Sequence, residues 1–140
     1  LADPKALEIS IAAYQACHFI GMPECSVHLT EAVIYMALAP KSNAMEVAYN
    51  TAKVDAIKHL AEPVPMNIRN APTKLMKDLG YNKGYKYAHD FEGHITSMQC
   101  LPDGLLGREY YQPSEQGFEA RFKARLQQIK DWKKAHPEQK

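Results

Sequence analysis

His89, His94 and Cys100 fall within a dozen residues, with Asp90 beside His89, and these are the residue types that hold transition metals. A structural zinc site takes four ligands, usually in close pairs such as Cys-x-x-Cys, and the chain has no such pair. The His-Glu-x-x-His pattern of zinc proteases is also absent, so no metal ligand is assigned. Cys17 and His18 are adjacent; on a helix they point in different directions and cannot act as nucleophile and base. Cys100, ahead of Leu101-Pro102, has no local activating group, and no Gly-x-Ser-x-Gly elbow occurs. The nearest approach to a phosphate loop is Gly80-Tyr81-Asn82-Lys83-Gly84-Tyr85-Lys86. Its glycine spacing is wrong and no Ser or Thr follows the lysine, so it reads as a helix stop and a turn. The sequence therefore assigns no catalytic residue and no cofactor-binding residue.

The stretch Tyr81–His94 interleaves Tyr81, Tyr85, Tyr87 and Phe91 with Lys83, Lys86, His89 and His94. Aromatic rings stack on unpaired bases and lysines neutralise phosphates, so this pattern suits a single-strand platform. The plainer alternative is that the tyrosines pack an irregular segment onto helices, their hydroxyls reaching water or carbonyls. The last helix carries the same choice. Its lysines and arginines suit DNA or an acidic partner, or form a solvated face around a core stripe. The candidate nucleic-acid or partner contacts are Lys83, Tyr85, Lys86, Tyr87, Lys130 and Lys133.

The elements that would position these residues are helical. Asp3 is a good N-cap, Pro4 suits the first helical position, and Gly21 is a natural stop. Between them Leu7, Ile11, Tyr14 and His18 recur at helical spacing, and Ala12, Ala13, Ala16, Phe19 and Ile20 widen the apolar face. Pro23-Glu24 opens a second helix through Leu29, Ala32, Val33 and Met36, ended by Pro40. Its polar strip holds His28, Glu31 and Tyr35. Asn43 with Glu46 resembles a capping box for a third helix, with Val47, Thr51, Val54, Ile57 and Ala61 inward. Glu62-Pro63-Val64-Pro65 breaks it. A short helix, Lys74 to Leu79, stops at Gly80, and 81–111 reads as turns, short helical pieces and room for one small hairpin. Ser114 can cap a last helix whose narrow stripe is Phe118, Phe122, Leu126, Ile129 and Trp132. The tail, residues 136–140, is expected to fray.

The chain has 140 residues and a formal net charge of +1, which suits one domain with one core. That balance conceals an asymmetry. Residues 1–39 hold Lys5 against four carboxylates and sum to −3, while residues 114–140 hold seven basic residues against four acidic ones and sum to +3. No apolar run approaches the roughly 20 residues that span a membrane. The three cysteines, Cys17, Cys25 and Cys100, do not make a disulfide framework and suit a reducing, cytosolic setting. The chain opens on a helix start without an initiator Met or a signal-peptide pattern, which points to a piece of a longer protein.

Three strings carry a resemblance. One is Pro40-Lys41-Ser42-Asn43 after Ala39. The longest runs from Arg69-Asn70-Ala71-Pro72-Thr73-Lys74 through Gly80-Tyr81, Gly84-Tyr85 and Tyr87 to His89-Asp90. The third is Leu101-Pro102 with Arg108-Glu109-Tyr110-Tyr111-Gln112-Pro113. Together with Leu1-Ala2-Asp3-Pro4 and Gly21-Met22-Pro23-Glu24 they resemble the C-terminal region of the MgsA/RarA family. Its members, also called replication-associated recombination protein A, are AAA+ ATPases related to clamp loaders. Asn82 stands where the family commonly has a small, glycine-like residue, so a positive φ is not demanded there.

The resemblance implies a mainly α, bundle-like oligomerisation domain over 1–140, similar to a clamp-loader collar, with an irregular Tyr-rich segment. It also implies an N-terminal AAA+ module outside this chain, which would bind ATP and magnesium and be a DNA-dependent ATPase. The implied role is homotetramerisation for replication, repair and recombination at stalled forks, in a cytoplasmic, nucleoid-associated protein with no membrane contact. The alternative is a docking module for single-stranded DNA or for single-stranded DNA-binding protein. The residues add one point of their own: the first two helices are more apolar than a three-helix start can hide. A subunit interface through Ala12, Ala13, Ala16, Phe19, Ala32 and Met36 would use that excess. The competing account is an internal core completed by the last helix and the Tyr-rich segment.

Overall fold

A computed structural model describes residues 1–137, so Glu138, Gln139 and Lys140 of the expected frayed tail lie outside the described residues. The described secondary structure is all helical. It comprises α1 (Lys5–Ile20), α2 (Ser26–Leu38), α3 (Ala44–Lys58), the short α4 (Lys74–Asp78), α5 (Glu119–Ala135) and several single 3-10 turns. The residues fall into two compact units. The first is Leu1–Ala48 with Tyr111–Ala124; the second is Tyr49–Tyr110 with the described residues from Arg125 onward.

In the first unit, the Asp3 carboxylate accepts the Lys5 N–H at 3.0 Å and so supports the start of α1. Gly21 ends the helix with φ +77°, its N–H returning to the Cys17 carbonyl at 3.0 Å. The chain turns through a cis Met22–Pro23 peptide. α2 starts at Ser26, later than Pro23-Glu24 suggests, because Gly21–Cys25 is spent on a turn closed by Cys25 N–H to the Gly21 carbonyl. α1 and α2 pack on each other through small residues: Ala13 and Ala32 are buried. Ser10 Oγ reaches Met36 Sδ at 3.4 Å, and the Tyr35 hydroxyl donates to Asp3 at 2.8 Å. α2 ends at Leu38, with Ala39 extended before Pro40 as the pre-proline rule requires.

The inward face of α3 is not the expected one. Val47, Val54 and Ile57 are about half exposed, and Thr51 and Ala61 are exposed too. Ala48 and Asp55 are the buried residues, and half-buried Ala52 and His59 extend that row at helical spacing. Apolar residues ring this helix, so periodicity alone could not choose the face.

In the second unit, buried Asp55 pairs with the Arg108 guanidinium (Nε to Oδ2, 3.2 Å). α4 has a Thr73 side-chain cap on the Met76 N–H. It closes in a Schellman motif: Gly80 N–H bonds the Lys77 carbonyl, and Tyr81 N–H the Met76 carbonyl. Gly80 sits at φ +87°, a conformation glycine adopts at no steric cost. Asn82 has φ +62°, so the positive φ that the sequence did not demand is present, carried by a residue type that tolerates it. From Tyr81 to Tyr110 the described residues form 3-10 turns and extended links, and the small hairpin does not form. Pro102 lacks an N–H, and Gly84, Gly93 and Gly107 take positive φ, which leaves no ladder to build.

α5 starts at Glu119. Ser114 does not cap it directly but forms a turn, accepting the Gln116 N–H and bonding Glu119. Along its stripe Leu126, Ile129 and Trp132 are half-buried, and Phe118 and Phe122 are more exposed.

Candidate assembly surface and binding sites

Glu119 organises the first unit. Its carboxylate is fully buried and accepts five hydrogen bonds. Oε2 takes the Ser42 hydroxyl at 2.7 Å, the Ser114 hydroxyl at 2.7 Å and the Ser114 N–H at 2.9 Å. Oε1 takes the Tyr111 hydroxyl and the Leu1 nitrogen, each at 3.1 Å. Burial alone would push its pKa up, but the hydrogen bonds donated by Ser114 and Ser42 outweigh that and hold it at about 2. The Pro40–Asn43 string is thereby explained. Ser42 reaches this carboxylate, Lys41 Nζ crosses the C-terminal carbonyls of α2 (2.6 Å to Met36), and the Asn43 carbonyl starts α3. Gly117 (φ +52°) lies so close that a Cβ there would stand 2.1 Å from the Ala2 carbonyl and 2.7 Å from Pro40 Cγ.

The outer faces of α1 and α2 are apolar and open. Phe19 is 81% exposed, Leu38 80% and Tyr14 73%, and Leu7, Ile11, Val27, Val33 and Ile34 are also exposed. A groove of about 820 Å3 runs along α2, lined by Val27, Ile34 and Leu38 with Asp3 and Glu31 at its polar edge. Of the six candidate interface residues, Ala13 and Ala32 are occupied within the chain by the packing of α1 on α2. Ala12, Phe19 and Met36 are exposed, and Ala16 is half-buried.

In the second unit, the Arg69–Asp90 string is held mainly by its own bonds. Arg69 Nε donates to the Val64 carbonyl at 2.6 Å, and its guanidinium lies 5.2 Å from the Tyr81 ring centre. Asn70, Pro72 and Lys74 are exposed, and Ala71 is half-buried. Tyr87, His89 and His94 form a ladder of rings with centres 5.0 and 4.9 Å apart. Asp90 closes the adjoining 3-10 turn. Lys83, Tyr85 and Tyr87 are exposed, while half-buried Lys86 is anchored through its N–H to Met98 Sδ. Lys130 is committed to Glu109 at 2.5 Å; Lys133 is exposed. No group of three or more His, Cys, Asp or Glu side chains among the described residues is placed to hold a metal ion.

Sequence reasoning missed both buried carboxylates. A Glu in the first turn of a helix is ordinary, and an Asp inside an amphipathic helix reads as polar face, so neither Glu119 nor Asp55 carried a signal. A trace existed in the first string, where Ser42 binds Glu119, and in the third. Arg108 binds Asp55, Tyr110 is raised by burial and by Asp55, and Tyr111 binds Glu119.

The chain belongs to the family described as MgsA AAA+ ATPase C terminal, whose sequence model matches residues 1–130. It is 39% identical to replication-associated recombination protein A of Coxiella burnetii over 136 residues, 96% of this chain and 31% of that protein. The Escherichia coli protein of the same name is 37% identical over 126 residues, 89% of this chain and 28% of that one. ATPase WRNIP1 of Dictyostelium discoideum is 42% identical over 113 residues, 80% of this chain and 13% of that protein. The chain thus spans less than a third of the length of these relatives. No helix among the described residues is long and apolar enough to cross a membrane.

Proposed function

We propose that this chain joins copies of itself into a homotetramer and so gathers AAA+ ATPase modules into one assembly. The observation that carries this reading is the open apolar face of α1 and α2, with Phe19, Tyr14 and Leu38 nearly bare. Apolar patches of this extent mark interaction surfaces. The chain itself performs no catalysis in this reading. ATP and magnesium would be bound by a module lying in the part of the relatives that this chain does not span. Tethering would turn weak contacts between modules into intramolecular ones. The names of the relatives suggest an ATPase of replication-associated recombination; to that we add DNA and single-stranded DNA-binding protein as partners of the whole protein and a cytoplasmic, nucleoid-associated setting. Light scattering coupled to size exclusion tests the assembly. A mass of four times 15.8 kDa at both low and high salt is expected, because apolar burial is not screened. A monomer at both would overturn it.

The Tyr87–His89–His94 ladder, with Lys83, Tyr85 and Lys86 beside it in sequence, favours a second reading: docking of single-stranded DNA. Binding of labelled oligothymidine that falls steeply with salt and is lost in Tyr87→Ala would support it. Absence of binding at low salt would sink it.

A further inference from the structure

Two of the three cysteines come together where α1 ends and α2 begins. Backbone hydrogen bonds close the link between these helices twice. Gly21 N–H returns to the Cys17 carbonyl and Cys25 N–H to the Gly21 carbonyl, each at 3.0 Å. Cys17 and Cys25 thus bracket the turn, one on each side of Gly21. Cys25 is buried, with 1% of its surface exposed, and its Sγ has two sulfur neighbours. It donates to Met22 Sδ at 3.3 Å, and the Cys17 thiol is close enough to share a hydrogen bond with it.

The two thiols differ in access. Cys17 is half-buried and can be reached by a solute, whereas Cys25 is shielded from one. Burial first, and then the bond to Cys17, push the Cys25 thiol up, so it stays protonated while its neighbours are only sulfurs. This is the division of roles in a dithiol couple: an accessible sulfur meets the oxidant, and a shielded one beside it displaces the mixed product. Cys100 gives a contrast within the same chain. It is exposed, lies in the second unit, and turns its thiol to the Met98 carbonyl at 3.6 Å.

We propose that Cys17 and Cys25 are a reversible dithiol–disulfide pair, a modification site oxidised by a small-molecule disulfide and restored by a thiol. The Cys17 thiolate attacks one sulfur of the small disulfide, whose S–S bond breaks and releases a thiolate. Cys25 passes its proton to that thiolate and attacks the Cys17 sulfur. The second thiolate leaves and takes up the proton that Cys17 had lost. Two protein thiols are oxidised, and one disulfide is reduced to two thiols. The new bond needs the sulfurs about 2.05 Å apart, so the link must tighten slightly. Nothing lies within 4 Å of where a Cβ on Gly21 would stand, which leaves room for that shift. The bond staples the end of α1 to the start of α2 beside exposed Phe19 and Val27. Both sulfurs belong to one chain, so the proposal does not depend on self-assembly.

The test equilibrates the folded chain in glutathione buffers of graded oxidation, blocks the remaining thiols with N-ethylmaleimide in denaturant, and digests with a glutamyl endopeptidase. Cleavage after Glu24 separates the two cysteines, so their disulfide appears as segments 9–24 and 25–31 joined, and a thiol reductant parts them. The joined segments are expected at oxidised glutathione levels at least tenfold below those that place glutathione on Cys100, because the resolving thiol is already in contact. The free thiols then fall from three to one. In Cys25→Ala, with its fold checked by circular dichroism, oxidation should stop at a glutathione adduct on Cys17. In Cys17→Ser, Cys25 should remain a thiol. Adducts on Cys17 and Cys100 of the parent chain without joined segments overturn the proposal, as does a disulfide from Cys17 to Cys100 or to a second copy.

Discussion

Ser42 and Glu119 lie 77 positions apart in the chain and meet through a 2.7 Å hydrogen bond. That bond joins the link between α2 and α3 to the first residue of α5, around a carboxylate with no contact with water. Ser42→Ala should therefore cost about 1.5–3 kcal/mol, the usual range for a bond to a charged group. Glu119→Gln should cost about 3 kcal/mol or more, because it places an amide N–H among donors that need an acceptor. Urea unfolding of both variants checks the order.

The same carboxylate sets an acid limit. Its acidity is held at about 2 in the folded chain against an ordinary 4.5. A group with a depressed folded value stabilises fully above its unfolded value and loses that contribution as pH falls toward the folded one. The stability gap between the parent chain and Glu119→Gln should thus be widest above pH 4.5 and narrow steadily toward pH 2. Denaturant midpoints measured across that range decide it; a constant gap would place the stabilisation elsewhere.

Gly117→Ala should destabilise by more than the ordinary penalty of about 1–2 kcal/mol for a positive φ. The new methyl would meet the Ala2 carbonyl at 2.1 Å, and a backbone atom cannot swing aside as a side-chain tip can. Thermal unfolding followed by circular dichroism reads this, with Gly80→Ala as the comparison. At Gly80 space is open and only the φ of +87° is strained, so the smaller loss is expected there.

Phe19→Asp and Val27→Asp should reduce the assembled mass to that of a single chain while leaving helical content unchanged, since both side chains lie largely outside the packed interior. A tetramer that persists in both variants would move the interface off this face.

Much of the helical order is legible in the sequence because punctuation is local. Pro4, Gly21, Pro40, Thr73 and Gly80 act through their own φ or their own side chain, and the helices start and stop near them. The inward faces are not local. Residues such as Val47 and Ile57 carry the same hydrophobicity as core residues, and only the packing decides that Ala48 and Asp55 go inside. The Glu119 cluster was half visible. Ser42 and Tyr111 stand in the strings that marked the family, but their shared partner is a glutamate like any other in a first turn.

The α1–α2 pair is built inside out, with alanine within and phenylalanine, tyrosine and leucine without. Its tolerance to substitution should be inverted in the same sense. Growth at Ala13 or Ala32 would wedge the two helices apart, while trimming Phe19 or Leu38 would leave the folded chain almost untouched. Folding and association can then drift separately: a lineage could rewrite which copies recognise one another without ever risking the fold that presents them.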